Sequence, residues 1–554
     1  PGKPGLAGCA ALHMVGARTP GLGRVPHPMK NQIPPKTPEQ WRTTLSWLGV
    51  SLTVAILARF ALWLTYSPVS YSDTPSYRRL AESILEAFSR YDGTRTPGYP
   101  AFLALVGPDN SVWVVQMALG VLVSLMLFYL GWQLSGRGWF GALLALAHTA
   151  NLGQLFFEAN LLTETLTTFF LAAAFAGVYW LLQQPDRQHW ALSAGIGLVV
   201  SLALLTRPLF VYLPVWVGLF ILFPGGAPYI VNRRHTWKIN LVRVVSFSIP
   251  VVVLVGGWVL FIHQRFGDWG LTTMTGYHLV QHTGSYFEYV PDEYAILRDT
   301  YIQYRDAKIA ATGTQTNTIW EAIPELSRVS GLNFYDLSRT LAHVSTSLIR
   351  EHPDLFLQNV AQGWWMFWRA PVYWSPEALQ APKLTAGIHA LVTVERTLLV
   401  VVNAIFVTGS LLWLGMCYLP CRWIDRLPGL FHRLRASFRS TDSQAGNIWG
   451  DHRFMLFLAG NIWITSVLQS LLDHGDNPRF LLPLQSFVVL WVACLTYDYI
   501  THRQGSNETH TLFPSILADR WRYAGDWGNP VGIGWRWLVA RLVGLQFAAR
   551  YWYW

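Results

Sequence analysis

Ten apolar stretches punctuate the chain, at 43–65, 111–133, 138–157, 161–182, 190–206, 208–223, 241–262, 387–418, 453–472 and 480–500. Crossing about 30 Å of hydrocarbon takes roughly 20 apolar residues in a helix, so each stretch is expected to span a membrane. Two pairs are poorly separated. Glu158 and Glu164 interrupt one, and Arg207-Pro208 joins the other, where proline ends the preceding helix. Two long polar intervals remain, 66–110 and 263–386. The second holds polar helix-like stretches, Asp292–Ala311 and Asn333–His352, and an aromatic run from Gly363 to Arg369 suited to an interfacial helix. The expected architecture is an all-α polytopic membrane protein with about ten or more transmembrane helices and a helical external domain. Its parts are a 1–42 extension, a 43–262 bundle with a first external loop at 66–110, a 263–386 external domain, a 387–500 bundle and a 501–554 tail.

Composition strengthens this picture. The chain is 52% hydrophobic and only 13% charged, whereas a soluble domain carries about 25% charged residues. A disordered chain is excluded, and a soluble enzyme would lack charges to coat its surface. Four cysteines in 554 residues exclude a disulfide-built or zinc-rich protein. The net charge of +10 is read as an orientation signal, not as a nucleic-acid footprint. Arg18, Arg24, Lys30, Lys36 and Arg42 precede span one, Arg233, Arg234 and Lys238 follow span six, and Arg422 to Arg439 fill the loop at 419–452. The tail adds Arg503, Arg520, Arg522, Arg536, Arg541 and Arg550. Ten spans put all of these on one side, which by the positive-inside rule is the cytoplasm. Both termini are then cytoplasmic, in a multi-pass plasma-membrane protein. Leu6-Ala7-Gly8-Cys9 has no apolar run before it, so span one is expected to act as an uncleaved anchor.

The remaining charges gather at the opposite face. Asp73 follows span one by about eight residues and opens an amphipathic helix with Tyr77, Leu80, Ala81, Ile84, Leu85 and Phe88 on one face. Asp73 is either a helix cap ahead of Pro75 or a carboxylate held at the external mouth of the bundle. Glu164, at the external start of span four, is either a dipole-favoured acid capped by Thr163 or a functional carboxylate at the edge of hydrocarbon. Glu158 reads as the structural acid of the two. Arg95 precedes the rigid Thr96-Pro97-Gly98-Tyr99-Pro100, and suits a phosphate or a lipid headgroup. Arg479 follows Asp476-Asn477-Pro478 and can grip phosphate or anchor a span by snorkelling; Asp476 is placed to orient it. Arg207 fits headgroup contact, and Arg59 fits a pair with a first-loop acid.

These residues carry a resemblance. The pattern Asp73-x-x-x-Tyr77-x-x-Leu80-Ala81, then Arg95-x-Pro97-Gly98-Tyr99-Pro100-x-Phe102-Leu103-Ala104-Leu105, resembles the glycosyltransferase C superfamily. The branch is that of protein O-mannosyltransferases and the aminoarabinose transferase of lipid A. The resemblance is concentrated in 60–110, continues in outline to about 500, and leaves 501–554 unmatched. Arg479-Phe480-Leu481-Leu482-Pro483 is similar to the family's E-x-R-Y-x-x-P motif, with Phe480 in place of Tyr. The resemblance implies an integral membrane glycosyltransferase moving a sugar from a polyprenyl-phosphate carrier to a protein, glycan or lipid acceptor on the external face. It implies Asp73 as general base, helped by Glu164, with Arg95 and Arg479 at the carrier phosphate and Tyr77, Tyr99, Arg207 and Asp476 in support. Protein mannosyltransferases carry Asp-Glu in this loop, whereas Thr74 follows Asp73 here. Relatives differ in metal use, which leaves a divalent cation open as cofactor.

Other functions stay in view. The aromatic load and the Trp- and Arg-rich tail fit a non-catalytic subunit that binds lipid and scaffolds a larger membrane complex, with the tail as docking element or interfacial helix. A transporter is disfavoured, since neither repeats nor midplane breaks are visible. His278 and His282 at i, i+4 could hold a metal but lack a third ligand. The cysteines Cys9, Cys417, Cys421 and Cys494 fall on the cytoplasmic side or in spans, where disulfides are not expected.

Overall fold

A computed structural model describes residues 37–184, 187–223, 233–370, 372–418, 452–475 and 477–505. Asp476, the 1–36 extension, the 419–451 loop and the 506–554 tail lie outside them, so the expectations placed there are not addressed.

The described chain is helical, with one isolated bridge, Val69 to Asn160, in place of a sheet. The order is α1 (Pro38–Thr65), α2 (Thr74–Leu85), α3 (Gly98–Val106), α4 (Asp109–Ser135), α5 (Gly138–Ala150), α6 (Leu152–Ala159), α7 (Glu164–Leu182), α8 (Trp190–Thr206) and α9 (Leu213–Leu222). Then come α10 (Arg233–Val251), α11 (Gly257–Phe266), α12 (Thr275–Thr283), α13 (Ala295–Thr312), α14 (Thr318–Ser330), α15 (Phe334–Glu351), α16 (Pro353–Phe367), α17 (Thr385–Tyr418), α18 (His452–Leu472) and α19 (Leu482–Gly505). Seven helices among the described residues are long and apolar enough to cross a membrane: Pro38–Thr65, Asp109–Ser135, Glu164–Leu182, Trp237–Phe266, Pro382–Gly415, His452–Leu472 and Pro478–Ile500.

The other three expected segments are helical but depart from single long spans. Stretch 138–157 bends by 55° between α5 and α6. Asn151 caps α6 by accepting from the Gln154 backbone N–H at 2.9 Å, and Glu395 on α17 accepts from the Leu152 N–H at 2.9 Å. Those N-terminal donors would otherwise lie orphaned at membrane depth. Trp190–Thr206 and Pro208–Leu222 are shorter apolar helices. Arg207-Pro208 separates them as the sequence predicts, with Arg207 extended at φ −139° before a short 3₁₀ turn.

Local chemistry sets the first span's start. Thr37 and Gln40 form a reciprocal capping box, and Pro38 occupies the first turn. The helix therefore begins before residue 43. The main core joins α4, α7, α8, α9, α18 and α19 through Leu127, Phe175, Val200, Val217, Phe457, Phe487 and Trp491. The polar interval 263–386 builds a core of its own around Tyr277, Phe287, Leu326, Leu337, Leu341 and Leu348. Its expected helices appear as α13 and α15. Within the aromatic run Trp364 stacks on Trp463 of α18 at 6.0 Å while Trp365 is 57% exposed, so one face of α16 seams this domain to the bundle.

Helix ends sort into two sets. At one end, Gly138 packs on Thr44, Asn240 donates to the Leu222 carbonyl at 3.1 Å, and Arg243 donates to the Arg187 carbonyl at 3.0 Å. At the other end, the Gln380 N–H donates to the Thr65 carbonyl at 2.8 Å, and Arg265 donates to the Phe88 carbonyl at 2.9 Å. The first loop, the 267–384 domain and the starts of α7 and α19 all lie at this second end.

Candidate functional site

Asp73 sits at the start of α2, where Pro75 fixes the first turn. Its side chain makes no cap bond, and its backbone is already helical at φ −78°, ψ −26°. The capping alternative is thereby set aside. The local turn is closed by Thr74, whose hydroxyl accepts from the Tyr71 N–H at 2.9 Å and donates to the Leu161 carbonyl at 3.1 Å. This leaves the Asp73 carboxylate free to meet cations.

Two cations meet it. Arg95 donates to Asp73 Oδ1 at 2.6 Å, and Arg479 donates to Asp73 Oδ2 at 3.1 Å. Arg479 also donates through Nε to Glu164 Oε1, which in turn lies 3.3 Å from Arg207. Arg95, Asp73, Arg479, Glu164 and Arg207 thus form one ladder across four separate parts of the chain. Asp73 remains about a quarter exposed, whereas Glu164 is wholly buried. Glu164 is the first residue of α7, where the helix dipole favours an acid, and two guanidinium groups also engage its carboxylate. Asp73, Arg95, Glu164 and Arg479, singled out separately in the sequence, are brought into one connected cluster.

Aromatic rings wall the ladder. The Arg95 guanidinium lies over Tyr77 at 5.3 Å, and that of Arg207 over Phe480 at 4.4 Å. Tyr77 stands edge-on to Tyr99 at 5.1 Å, and the Tyr99 hydroxyl donates to Gln116 at 3.1 Å. Both tyrosines are buried struts. Gly98 allows α3 to press on α8: an added Cβ would sit 2.6 Å from the Leu205 carbonyl. That contact brings the Arg95 loop to the Arg207 corner. The face of α2 is narrower than expected. Leu85 is 73% exposed, and Phe88 lies beyond the helix in the left-handed region at φ 62°.

Charge decides what the ladder can hold. Three guanidinium groups face two carboxylates in a largely dry setting. Burial works to raise the Asp73 carboxyl, but Arg95 and Arg479 more than offset it and hold it below its ordinary value. Two buried guanidinium nitrogens, Nε of Arg95 and one terminal nitrogen of Arg207, have no hydrogen-bond partner. An anion would satisfy both the surplus charge and the free donors. A divalent cation suits this set poorly, since it would add to an excess of positive charge. Among the described residues no three of His, Cys, Asp and Glu converge as metal ligands.

Sequence reasoning missed several members. Tyr71 lies within electrostatic reach of Arg479 and Glu164 and packs edge-on to Tyr373 at 6.1 Å. Asn160, wholly buried, donates to the Tyr373 carbonyl at 3.1 Å. Gln116 donates to the carbonyls of Glu158 and Asn160 at 2.8 and 3.0 Å. An amide inside an apolar span was a readable signal for Gln116; Tyr373 offered none. One expectation is corrected: Arg59 pairs at 2.6 Å with Glu158, at the end of α6, and not with a first-loop acid. His278 meets Asp473 at 3.3 Å, and His282 packs against the His474 ring at 5.6 Å, so this cluster docks the 267–384 domain onto the segment before Arg479.

No protein-family model, curated protein or solved structure matches the chain.

Proposed function

We propose that this protein is a membrane glycosyltransferase that moves a sugar from a polyprenyl-phosphate carrier to an acceptor at the external membrane face. The observation that carries the reading is the ladder of three arginines and two carboxylates at one end of an apolar bundle. Its surplus charge and free donors suit a phosphate at the membrane boundary, and its exposed carboxylate suits a hydroxyl acceptor. In this reading the helix ends alternate between the two sets through ten passes. The basic loops are cytoplasmic, both termini are cytoplasmic, and the membrane is the plasma membrane. The fold is then glycosyltransferase C-like.

The chemistry follows from the charges. The acceptor oxygen attacks the anomeric carbon, the bond from that carbon to the phosphate oxygen breaks, and its electron pair leaves with the phosphate. The acceptor proton passes to Asp73. Asp73 held by two arginines is a weak base. An arriving phosphate competes for Arg95 and Arg479, loosens both from Asp73 and raises its basicity. Donor binding thus readies the base, and the arginines stabilise the charge that grows on the departing phosphate. Glu164, with no exposed surface, holds Arg479 and Arg207 in place and is a positioning residue rather than a second base.

One observation favours a second reading. Both Asp73 oxygens are already engaged by arginine, as in a site closed upon itself. A non-catalytic lipid-binding subunit of a larger complex would look like this. The deciding measurement is transfer from a lipid-linked sugar by purified protein. Asp73→Asn is expected to lower transfer about 10²- to 10⁴-fold while retaining carrier binding. Transfer by Asp73→Asn equal to wild type would overturn the assignment, and binding without any wild-type transfer would favour the subunit.

A further inference from the structure

At the same end of the bundle as the ladder lies a concavity. Its volume is about 620 Å³, within the range of roughly 300–1,000 Å³ usual for small-ligand sites. It forms where α1 ends, α4 begins and the segment 372–380 crosses between them. Trp63, Tyr66 and Trp113 line it, with Asn110, Ser111 and Gln380 among its polar groups. No charged side chain lines it among the described residues. The ladder is built almost wholly of charge, so the two places suit different chemistries.

Two details mark the hollow as a binding site. Trp113 is 3% exposed, and its indole N–H has no hydrogen-bond partner. A buried donor of this kind is costly to leave unmade, and a ligand oxygen would satisfy it. Trp63, at the end of a membrane-spanning helix, is 47% exposed, at the depth where aromatic side chains meet headgroups. The Tyr66 hydroxyl is already engaged, accepting from the Ser375 N–H at 2.7 Å. That bond fixes the ring as a wall.

We propose that this cavity binds an uncharged saccharide. Aromatic faces cover the apolar C–H face of a sugar ring, while amides, a hydroxyl and an indole N–H match its hydroxyl groups. The absence of charge in the lining disfavours phosphates and amino sugars. The segment that contributes Gln380 to the cavity also carries Tyr373, which packs on Tyr71, two residues before Asp73. The saccharide is either a glycolipid headgroup or a free sugar. The inference goes beyond the transfer reading, because binding is measured without turnover.

The test uses the full chain in an amine-oxide detergent, which carries no sugar, with native mass spectrometry as the readout. Glucosyl-diacylglycerol is expected to be retained about tenfold more than diacylglycerol, the scale of one or two net hydrogen bonds. Trp113→Phe, which keeps a ring and removes the donor, and Gln380→Leu, at an exposed position, should each reduce that preference. Thermal unfolding checks that both variants remain folded. Octyl glucoside competing where methyl glucoside does not supports a lipid-borne sugar; equal competition by both supports a free one. Equal retention of glucosyl-diacylglycerol and diacylglycerol, or a preference untouched by both substitutions, would overturn the proposal.

Discussion

A carboxylate between two guanidinium groups stays ionised to lower pH than one in water. For Asp73 the sign is fixed by Arg95 and Arg479, which outweigh burial. Its contribution to stability is present above the ordinary carboxylate range of about 4 and is lost as pH falls through its lowered value. Removing Arg95 removes one of the forces favouring the charged form, so Arg95→Gln should move the acid limb of the activity profile to higher pH. A profile with its acid limb unmoved would show that Arg95 does not set the protonation of Asp73. The residues of the ladder were legible because charge is scarce in this chain and each had few alternative uses. Tyr71 and Tyr373 were not, because an aromatic residue near a membrane surface is unremarkable until its neighbours are known.

At the scale of elements, an acid-sensitive joint lies between α12 and the residues leading to Arg479. His282 is wholly buried, and neither ring nitrogen has a hydrogen-bond partner. Burial, with the His474 ring as a lesser cause and Asp473 opposing, lowers it to about 4. The unfolded chain, with an ordinary histidine near 6.5, therefore binds more protons between about 6.5 and 4, and stability falls as pH drops through that window. His282→Phe should flatten this acid dependence and leave stability at neutral pH equal or higher, as followed by thermal unfolding across pH 4 to 7. Persistence of the same acid dependence would place its origin elsewhere. The helix positions themselves were readable from apolar length. The bend at Asn151 was not, because the Glu395 contact that steadies it comes from a helix more than 200 residues away in sequence.

For the whole molecule, the question is what holds the ladder's supports together inside hydrocarbon. Arg59 and Glu158 pair across α1 and α6, and Gly120 on α4 leaves the space they fill: an added Cβ would sit 1.9 Å from the Glu158 carboxylate. Removing one partner of such a pair leaves a buried charge alone and costs about 3–5 kcal/mol. Glu158→Gln should therefore lower the unfolding temperature, and Arg59→Met with Glu158→Met should recover much of the loss. A double variant no better than the single would show that the pair is not coupled. Orientation has its own check. Single cysteines at Thr314 and Arg137 lie at opposite ends of the bundle. An impermeant maleimide applied to intact cells should label Thr314→Cys and spare Arg137→Cys; the reverse would invert the proposed topology. Loop charges made the topology readable as an expectation. The pairing of distant helices was beyond reach, since nothing local ties Arg59 to a glutamate 99 residues away.

The unequal count of arginines and carboxylates has a kinetic consequence. A polyprenyl-phosphate-linked sugar is a phosphodiester with one negative charge, whereas the carrier left after transfer is a monoester with nearly two. A cluster with one surplus positive charge holds the second more tightly than the first. Under the transfer reading, the slow event in each cycle is then the departure of the spent carrier, and turnover is paced by how quickly the surrounding membrane takes that carrier away.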